Sequence, residues 1–517
     1  LSDEPTERSA AAALLLARLH GEPVSVTDPC TTTGRLWEAL QLHRLVPEEG
    51  RRGRTSTRNG EPGASAPGER RTAAPPGADA PGSPALRLRV LVLSNLYAPD
   101  FMGGYELGCR QAAEALVAAG HDVLVLTSAP RIPGRLAPGD GKVAVRRALH
   151  LADVYTPYLQ EGVSPLTLCL RHAAANLVQA FNVHVLLEVL EVFSPQVVYL
   201  WNLVGLGGLG LVACLHHRGV PWVWHLMDRV PRDLCNLPFI PDVAGPLASA
   251  AAPLMAGQFL ACSRRVAEET ERHAPLLQAG VELVPNWVTQ KPLPRRRWYR
   301  PGGRLRIATA AGRLGAEKGT DRLLYAAALL RRGGHDNFLI DLNGLVDGDE
   351  LPRLVREEGL EGHVRFRGLR PTEELTRLYA GCDVFAFPTW TREPFGFAPL
   401  EAAAQGCVPL ITDDCGIGEW LVDGVHCLKA SRTAEAFAGV LADVLDGRID
   451  LRPLGRRASA VVGRDFHLRR VLPAIEAALR RAAGQRRTPL GPPAEAYHLA
   501  VLGEKLAEAH VQDLMAG

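Results

Sequence analysis

Two carboxylates, Glu393 and Glu401, are separated by seven residues in Glu393-Pro394-Phe395-Gly396-Phe397-Ala398-Pro399-Leu400-Glu401. The first falls in a turn rich in Pro and Gly. The second lies in a helix-forming run, residues 400–405, that stops at Gly406. Apolar runs flank this unit at 383–388 and 408–412. Strand, loop, short helix, strand is a piece of an open parallel sheet, which binds ligands where strand ends meet helix starts. A helix N-terminus favours an anion there, and a carboxylate can accept hydrogen bonds from paired hydroxyls. A phosphate and a sugar side by side would suit such a place. The structural alternative is one turn-capping carboxylate and one exposed helix carboxylate.

Three further clusters sit at strand ends. Gly103-Gly104 follow the strand 88–94, where paired glycines let backbone N–H groups approach a ligand closely; a plain flexible turn would read the same. His225 and Asp228 end the strand that begins at Pro221, and a His–Asp pair at a sheet's carboxyl edge is a candidate for proton chemistry. Gly312-Arg313-Leu314-Gly315-Ala316-Glu317-Lys318-Gly319 joins a strand to a helix, and Arg313 and Lys318 could clamp two phosphates. The Walker order GxxxxGK[ST] is absent from this loop. Asp347-Gly348-Asp349 spells a DxD but lies between a strand and a helix, where it reads as a turn. No cluster of metal-ligand spacing stands out, so no metal is expected.

The elements that position these residues alternate along the chain. The strands expected at 88–94, 122–127, 196–201 and 221–225, with helices between them, define one doubly wound domain over 86–295. The pattern restarts with strands at 305–310, 338–343, 364–367, 383–388 and 408–412 and the helices 320–332 and 372–380. Helical sequence from 434 to 483 completes a second domain over 301–483. Before them lie a short helical segment (1–50) and an Arg/Gly/Pro/Ser/Ala-rich stretch (51–85) expected to be a disordered linker. A tail with one helix follows at 484–517. Beginning at Leu1 rather than Met, the chain reads as a fragment or processed product.

The 517 residues carry a net charge of +2, which gives no global footprint for nucleic acid. The ten cysteines are scattered without a CxxC pair, pointing to reduced thiols and a cytoplasmic chain. The apolar stretch 197–215 is interrupted by Asn202 and glycines and divides into strand, loop and helix rather than spanning a membrane. The connector Lys291-Pro292-Leu293-Pro294-Arg295-Arg296-Arg297-Trp298-Tyr299-Arg300 mixes cations with aromatics. It reads either as a solvated hinge or as a peripheral contact with anionic lipid head groups.

Taken in order, these motifs resemble those of retaining, nucleotide-sugar-dependent glycosyltransferases of the GT-B fold, glycosyltransferase family 4, over about residues 86–483. The matching text is Tyr97-Ala98-Pro99 with Gly103-Gly104-Tyr105-Glu106, Ala119-Gly120-His121-Asp122-Val123, Val284-Pro285-Asn286 and Gly312-Arg313-Leu314 with Glu317-Lys318-Gly319. Gly368, Asp383-Val384-Phe385, residues 393–406 and Gly416-Ile417-Gly418-Glu419 complete the series. The resemblance implies an α/β chain of two Rossmann-like domains facing each other across a cleft. It implies Arg313 and Lys318 at the donor diphosphate, Glu401 at the ribose, and Glu393 with Phe395-Gly396-Phe397 at the donor sugar and distal phosphate. Gly103-Gly104 would close over the diphosphate, Asn286 would line the substrate site, and His225 or Asp228 would face the acceptor. The implied reaction is metal-independent transfer of a sugar to a saccharide or lipid-linked acceptor, in cell-envelope or polysaccharide biosynthesis, by a cytoplasmic enzyme peripheral to the membrane.

Two departures concern the donor: Gln405 stands where the family has a small residue, and Asp413-Asp414-Cys415 replaces a shorter turn. Epimerase or phosphorylase-like chemistry on the same fold is the nearest alternative. An NAD-dependent oxidoreductase is a more distant one. It is suggested by Gly205-Leu206-Gly207-Gly208-Leu209-Gly210 with Asp228 about 20 residues on, but this unit does not follow its domain's first strand.

Overall fold

The computed structural model describes residues 87–101, 103–129, 143–152, 176, 179–231, 257–273, 281–295, 297–389 and 393–485. The helical segment, linker and tail expected at 1–50, 51–85 and 484–517 lie outside the described residues, Gly484 and Gln485 apart. Elements are numbered among the described residues only.

The first domain carries strands β1 (Arg89–Leu93), β2 (Asp122–Ser128), β3 (Ala144–Leu149), β4 (Val197–Leu200), β5 (Trp222–Leu226), β6 (Gln258–Ala261) and β7 (Val281–Leu283). They form one sheet in the order β3-β2-β1-β4-β5-β6-β7, parallel throughout. Helices α1 (Gly104–Ala118), α2 (Ala180–Phe193), α3 (Gly208–His217) and α4 (Arg264–His273) connect them. The second domain repeats the plan. Strands β8 (Leu305–Leu314), β9 (Phe338–Val346), β10 (Val364–Gly368), β11 (Val384–Phe387), β12 (Val408–Thr412) and β13 (Leu428–Ala430) run β10-β9-β8-β11-β12-β13. Helices α5 (Thr320–Arg332), α6 (Glu350–Glu357), α7 (Thr372–Gly381), α8 (Phe397–Ala404), α9 (Ala434–Leu445), α10 (Leu451–Val461) and α11 (Leu468–Ala483) complete the series. In both sheets the strand order reverses beside the first strand, which places ligand crevices at the strand C-terminal ends.

One helix lies elsewhere than the sequence suggests. Residues 468–483 were expected to finish the second domain, yet α11 packs on the first. Its stripe Leu468, Val471, Ile475, Ala478, Leu479 and Ala482 is buried in one core with Val90, Tyr199, Val223 and Trp287. The spacing of that stripe announces an amphipathic helix but not the sheet it will cover. A polar relay pins it: Leu88 N donates to His121 Nδ1 at 3.1 Å, so Nε2 carries the proton that faces Glu476 Oε1 at 2.8 Å. The chain therefore passes between domains twice, and the two passages touch. Val288 N donates to the Phe466 carbonyl (2.8 Å) and Leu468 N to the Val288 carbonyl (2.9 Å).

The basic connector is anchored rather than free. Asp383, its side chain fully buried, accepts from Arg297 Nη2 at 2.7 Å, Arg295 Nη2 at 3.3 Å and Arg306 N at 3.0 Å. Arg295 also donates to the Cys382 carbonyl and lies over the Trp298 ring, 4.5 Å from its centroid. Both arginines are thus engaged by the second domain, which corrects the reading of this segment as a solvated hinge at those two positions; Arg296 lies outside the described residues. No described helix is long and apolar enough to cross a membrane.

Candidate active site

Lys318 closes a 3-10 turn (Ala316–Lys318) between β8 and α5. Glu393 lies in the loop between β11 and α8. The fold brings these two residues, 75 positions apart in sequence, to 3.0 Å, Lys318 Nζ to Glu393 Oε2. Thr389 Oγ1 donates to the same carboxylate oxygen at 3.0 Å. Glu393 is 7% exposed and Lys318 about a third, so the cation is the member that can turn toward a ligand.

The Glu393 loop is held through its backbone. Gly416 N donates to the Glu393 carbonyl (3.1 Å) and Ile417 N to the Phe395 carbonyl (3.0 Å). Gly396 takes φ +109°, where a side chain would also meet the Phe387 ring at 2.9 Å. Helix α8 then begins at Phe397, three residues earlier than expected, placing Glu401 in its second turn.

Phe397 reaches across the cleft to the first domain. A Cβ on Gly104 would lie 2.6 Å from its ring, so only glycine permits this approach. Gly104 opens α1, whose cap is Gly103, and Gly103 N donates to Glu106 Oε2 at 3.0 Å. Two helix N-termini, one from each domain, therefore meet at Gly104 and Phe397. Each carries partial positive charge.

Arg313 lies in the same β8–α5 region, but in this structure its Nε pairs with Asp347 Oδ2 at 2.9 Å, both side chains being more than half exposed. Asp349 pairs with Arg356 at 2.7 Å. Both carboxylates of Asp347-Gly348-Asp349 are thus taken by arginines, in keeping with the turn reading. Asn286 is 2% exposed, and its buried Oδ1 has no hydrogen-bond partner.

His225 does not face the cleft. It is fully buried, stacked on Trp201 (centroids 4.7 Å apart), with Tyr199 Oη 2.6 Å from Nδ1 and the Trp287 ring edge-on. Burial pulls its pKa down to about 3, so the imidazole is neutral. This corrects the sequence-based pairing of His225 with Asp228 as one reactive unit. Residues 223, 225 and 227 share the strand face that α1 and α11 cover. Asp228 lies beyond the end of β5, only partly buried, its Oδ1 accepting from Arg229 N at 2.8 Å.

Burial pushes Glu401 up to about 7, a hydrogen bond with Gln290 lowering it only in part. The folded protein then keeps a proton that the unfolded chain has released. Glu401 should therefore contribute a slope by which stability falls from pH 4.5 to about 7, roughly 3 kcal/mol in all and flat above, against the opposite slope that the buried, neutral His225 contributes below 6.5. Glu401→Gln should lose that slope, measured as urea midpoints at about pH 5 and about pH 8. A slope unchanged in the variant would assign it to another group.

The glycine tract 205–210 is enclosed by protein. Asn95 and Asn182 side chains donate to the Val204 and Leu206 carbonyls, and the Asn176 side chain accepts from Gly205 N. The tract seats α3 rather than offering amides to a pyrophosphate.

The geometry defines a two-domain α/β chain of the GT-B fold with a cation–carboxylate pair at its interdomain cleft. Residues 299–460 match the family model Glycosyl transferases group 1. A D-inositol 3-phosphate glycosyltransferase of Corynebacterium aurimucosum is 32% identical over 27% of this chain and 35% of its own length. The chain thus spans about a third of such a relative. Glycogen synthase of Mycobacterium tuberculosis is 27% identical over 73% of this chain and 91% of its own. Among solved structures, Anabaena Alr3699/HepE in complex with UDP and glucose shares the fold, with a TM-score of 0.54, 18% identity, and coverage of 76% of this chain and 100% of that one.

Sequence reasoning missed Ser263, and it quoted Glu419 only within a motif, without a role. Ser263 Oγ donates to the Pro394 carbonyl at 2.6 Å, and Glu419 accepts from Arg264 N and Arg265 N at 2.6 and 2.8 Å. A Ser before a helical run is an N-cap signal that could have drawn notice. Its second partner could not be read locally. A cavity of about 510 Å³ opens beside these contacts, walled by Arg264, Arg265, Asp413 and Asp414, and includes none of the expected site residues.

Proposed function

We propose that this chain is a hexosyltransferase-type glycosyltransferase, moving a sugar from a nucleotide-diphosphate sugar to an acceptor hydroxyl with retention of configuration and without a metal. The observation that carries this reading is the Lys318–Glu393 pair at 3.0 Å in the loop leading to α8, where that helix's N-terminus meets that of α1. Departure of a nucleoside diphosphate builds negative charge on its β-phosphate. The Lys318 ammonium and two helix N-termini would stabilise that charge as it forms, which is electrostatic catalysis. Lys318 would leave Glu393 for the phosphate, and Arg313 would exchange Asp347 for the same group. Glu393, with the backbone of Phe395, Gly396 and Phe397, would hold the donor sugar, Glu401 the ribose, and Gly103-Gly104 would close over the diphosphate. Asn286 offers a buried acceptor atom to the substrate.

Asp228, at the partly open end of β5, takes the acceptor side in this reading. Attack on the same face as the departing phosphate retains the anomeric configuration. The similarity to glycogen synthase supports a saccharide acceptor, and a GDP-mannose-dependent phosphatidylinositol monomannoside mannosyltransferase of Mycolicibacterium smegmatis, 32% identical over 31% of this chain and 43% of its own length, supports a lipid-linked one. The second would place the enzyme at the inner face of a membrane, in cell-envelope or polysaccharide biosynthesis. The test is incubation with UDP-, GDP- and ADP-sugars and a panel of acceptors, with release of nucleoside diphosphate measured. Acceptor-dependent release from one of these donors is the expected result. No release from any would remove the assignment.

A further inference from the structure

Helix α4 has its first three amides satisfied, and two of them depend on the other domain. Ser263, the residue before the helix, accepts from Val266 N with its Oγ at 3.2 Å. The two donors before it, Arg264 N and Arg265 N, give their hydrogens to the two oxygens of Glu419, which belongs to the second domain. A carboxylate at a helix N-terminus satisfies donors that the helix cannot and meets the positive end of its dipole. Beside it, Trp420 Nε1 donates to the Cys262 carbonyl at 3.1 Å.

The same junction reaches the catalytic loop. Three consecutive carbonyls of that loop are held: Glu393 by Gly416 N, Pro394 by Ser263 Oγ and Phe395 by Ile417 N. Only the middle one is held across the domain boundary. The Ser263 hydroxyl thus accepts from its own helix and donates to the residue that follows Glu393. Glu419 and Arg264 are exposed, so water can compete for these bonds.

We infer that Ser263 and Glu419 form a closure latch, in which docking of the α4 N-terminus onto the second domain sets the backbone that positions Glu393. Both are positioning residues, acting through the loop rather than on substrate. The catalytic consequence rests on the function proposed above; the latch itself does not.

Hydrogen exchange of the full chain reads the latch directly. Glu419→Ala should speed exchange at the Arg264 and Arg265 amides by about tenfold while the central strands of both sheets stay protected. Glu419→Gln, keeping one carbonyl oxygen, should fall between. Ser263→Ala should lower kcat about tenfold with little change in donor KM, and Ser263→Thr should restore it. Unchanged exchange at both amides in Glu419→Ala and Glu419→Gln would overturn the latch. Faster exchange there, with kcat unaltered in Ser263→Ala, would overturn its link to Glu393. If the unaltered protein turns over no nucleotide sugar, the functional reading fails, and the exchange result still decides the latch.

Discussion

Replacing Lys318 with alanine should lower kcat by about a hundredfold to a thousandfold, the usual effect of deleting one preorganised charge from a site where an anion develops. Glu393→Ala should fall as far, because the carboxylate holds the donor sugar and, before binding, holds the ammonium in place. Neither change should unfold the protein. Lys318 is about a third exposed, and the loop backbone is fixed by Gly416 and Ile417 independently of the Glu393 side chain. Circular dichroism and the unfolding midpoint should therefore stay near those of the unaltered chain. The double variant should lose little beyond either single one, since the two act as a unit. Turnover like that of the unaltered protein in both single variants would refute the assignment.

Asp383→Ala should cost about 3–5 kcal/mol of stability, the range for breaking a buried ion pair from one side. Arg295 is 8% exposed, and its guanidinium would be left with the Cys382 and Arg297 carbonyls and the Trp298 face but no counter-charge. Arg306 N would lose its acceptor as well. Burial already pushes the Asp383 carboxyl above the usual range, its amide and guanidinium partners offsetting this only in part. The site is therefore costly to form and costlier to break. Asp383→Asn keeps an acceptor and should lose less. Urea unfolding of the two variants checks the order. Equal and small losses in both would mean that the connector is not anchored here.

Much of the fold was legible locally. Helix α5 and strand β12 fall where residues 320–332 and 408–412 were expected, because each has sharp boundaries: Gly319 before the helix, Gly406 before the strand. Strands β3 and β6 escaped notice. Ala144–Leu149 carries two arginines in six residues, and Gln258–Ala261 has only four residues in all. Neither is long or alternating enough for period-two patterning to emerge. Within the site, the loop positions of Lys318 and Glu393 were readable from glycines, charges and flanking strands. That Lys318 pairs with Glu393 while Arg313 pairs with Asp347 was not.

The amino-acid order by itself settled what is written at short range: where strands alternate with helices, which turns need glycine, and which loops carry charge to a strand's C-terminal end. Hydrophobic periodicity and backbone sterics act over a few residues and need no distant partner. Tertiary structure alone decided which partners those residues meet. It sent α11 back to the first sheet, sealed His225 beneath it, turned Arg295 and Arg297 inward to Asp383, and joined Glu419 to a helix of the other domain. A charge or an apolar stripe declares only that it requires a complement. Which complement it finds depends on how two whole sheets pack, and that is settled by contacts more than a hundred residues apart.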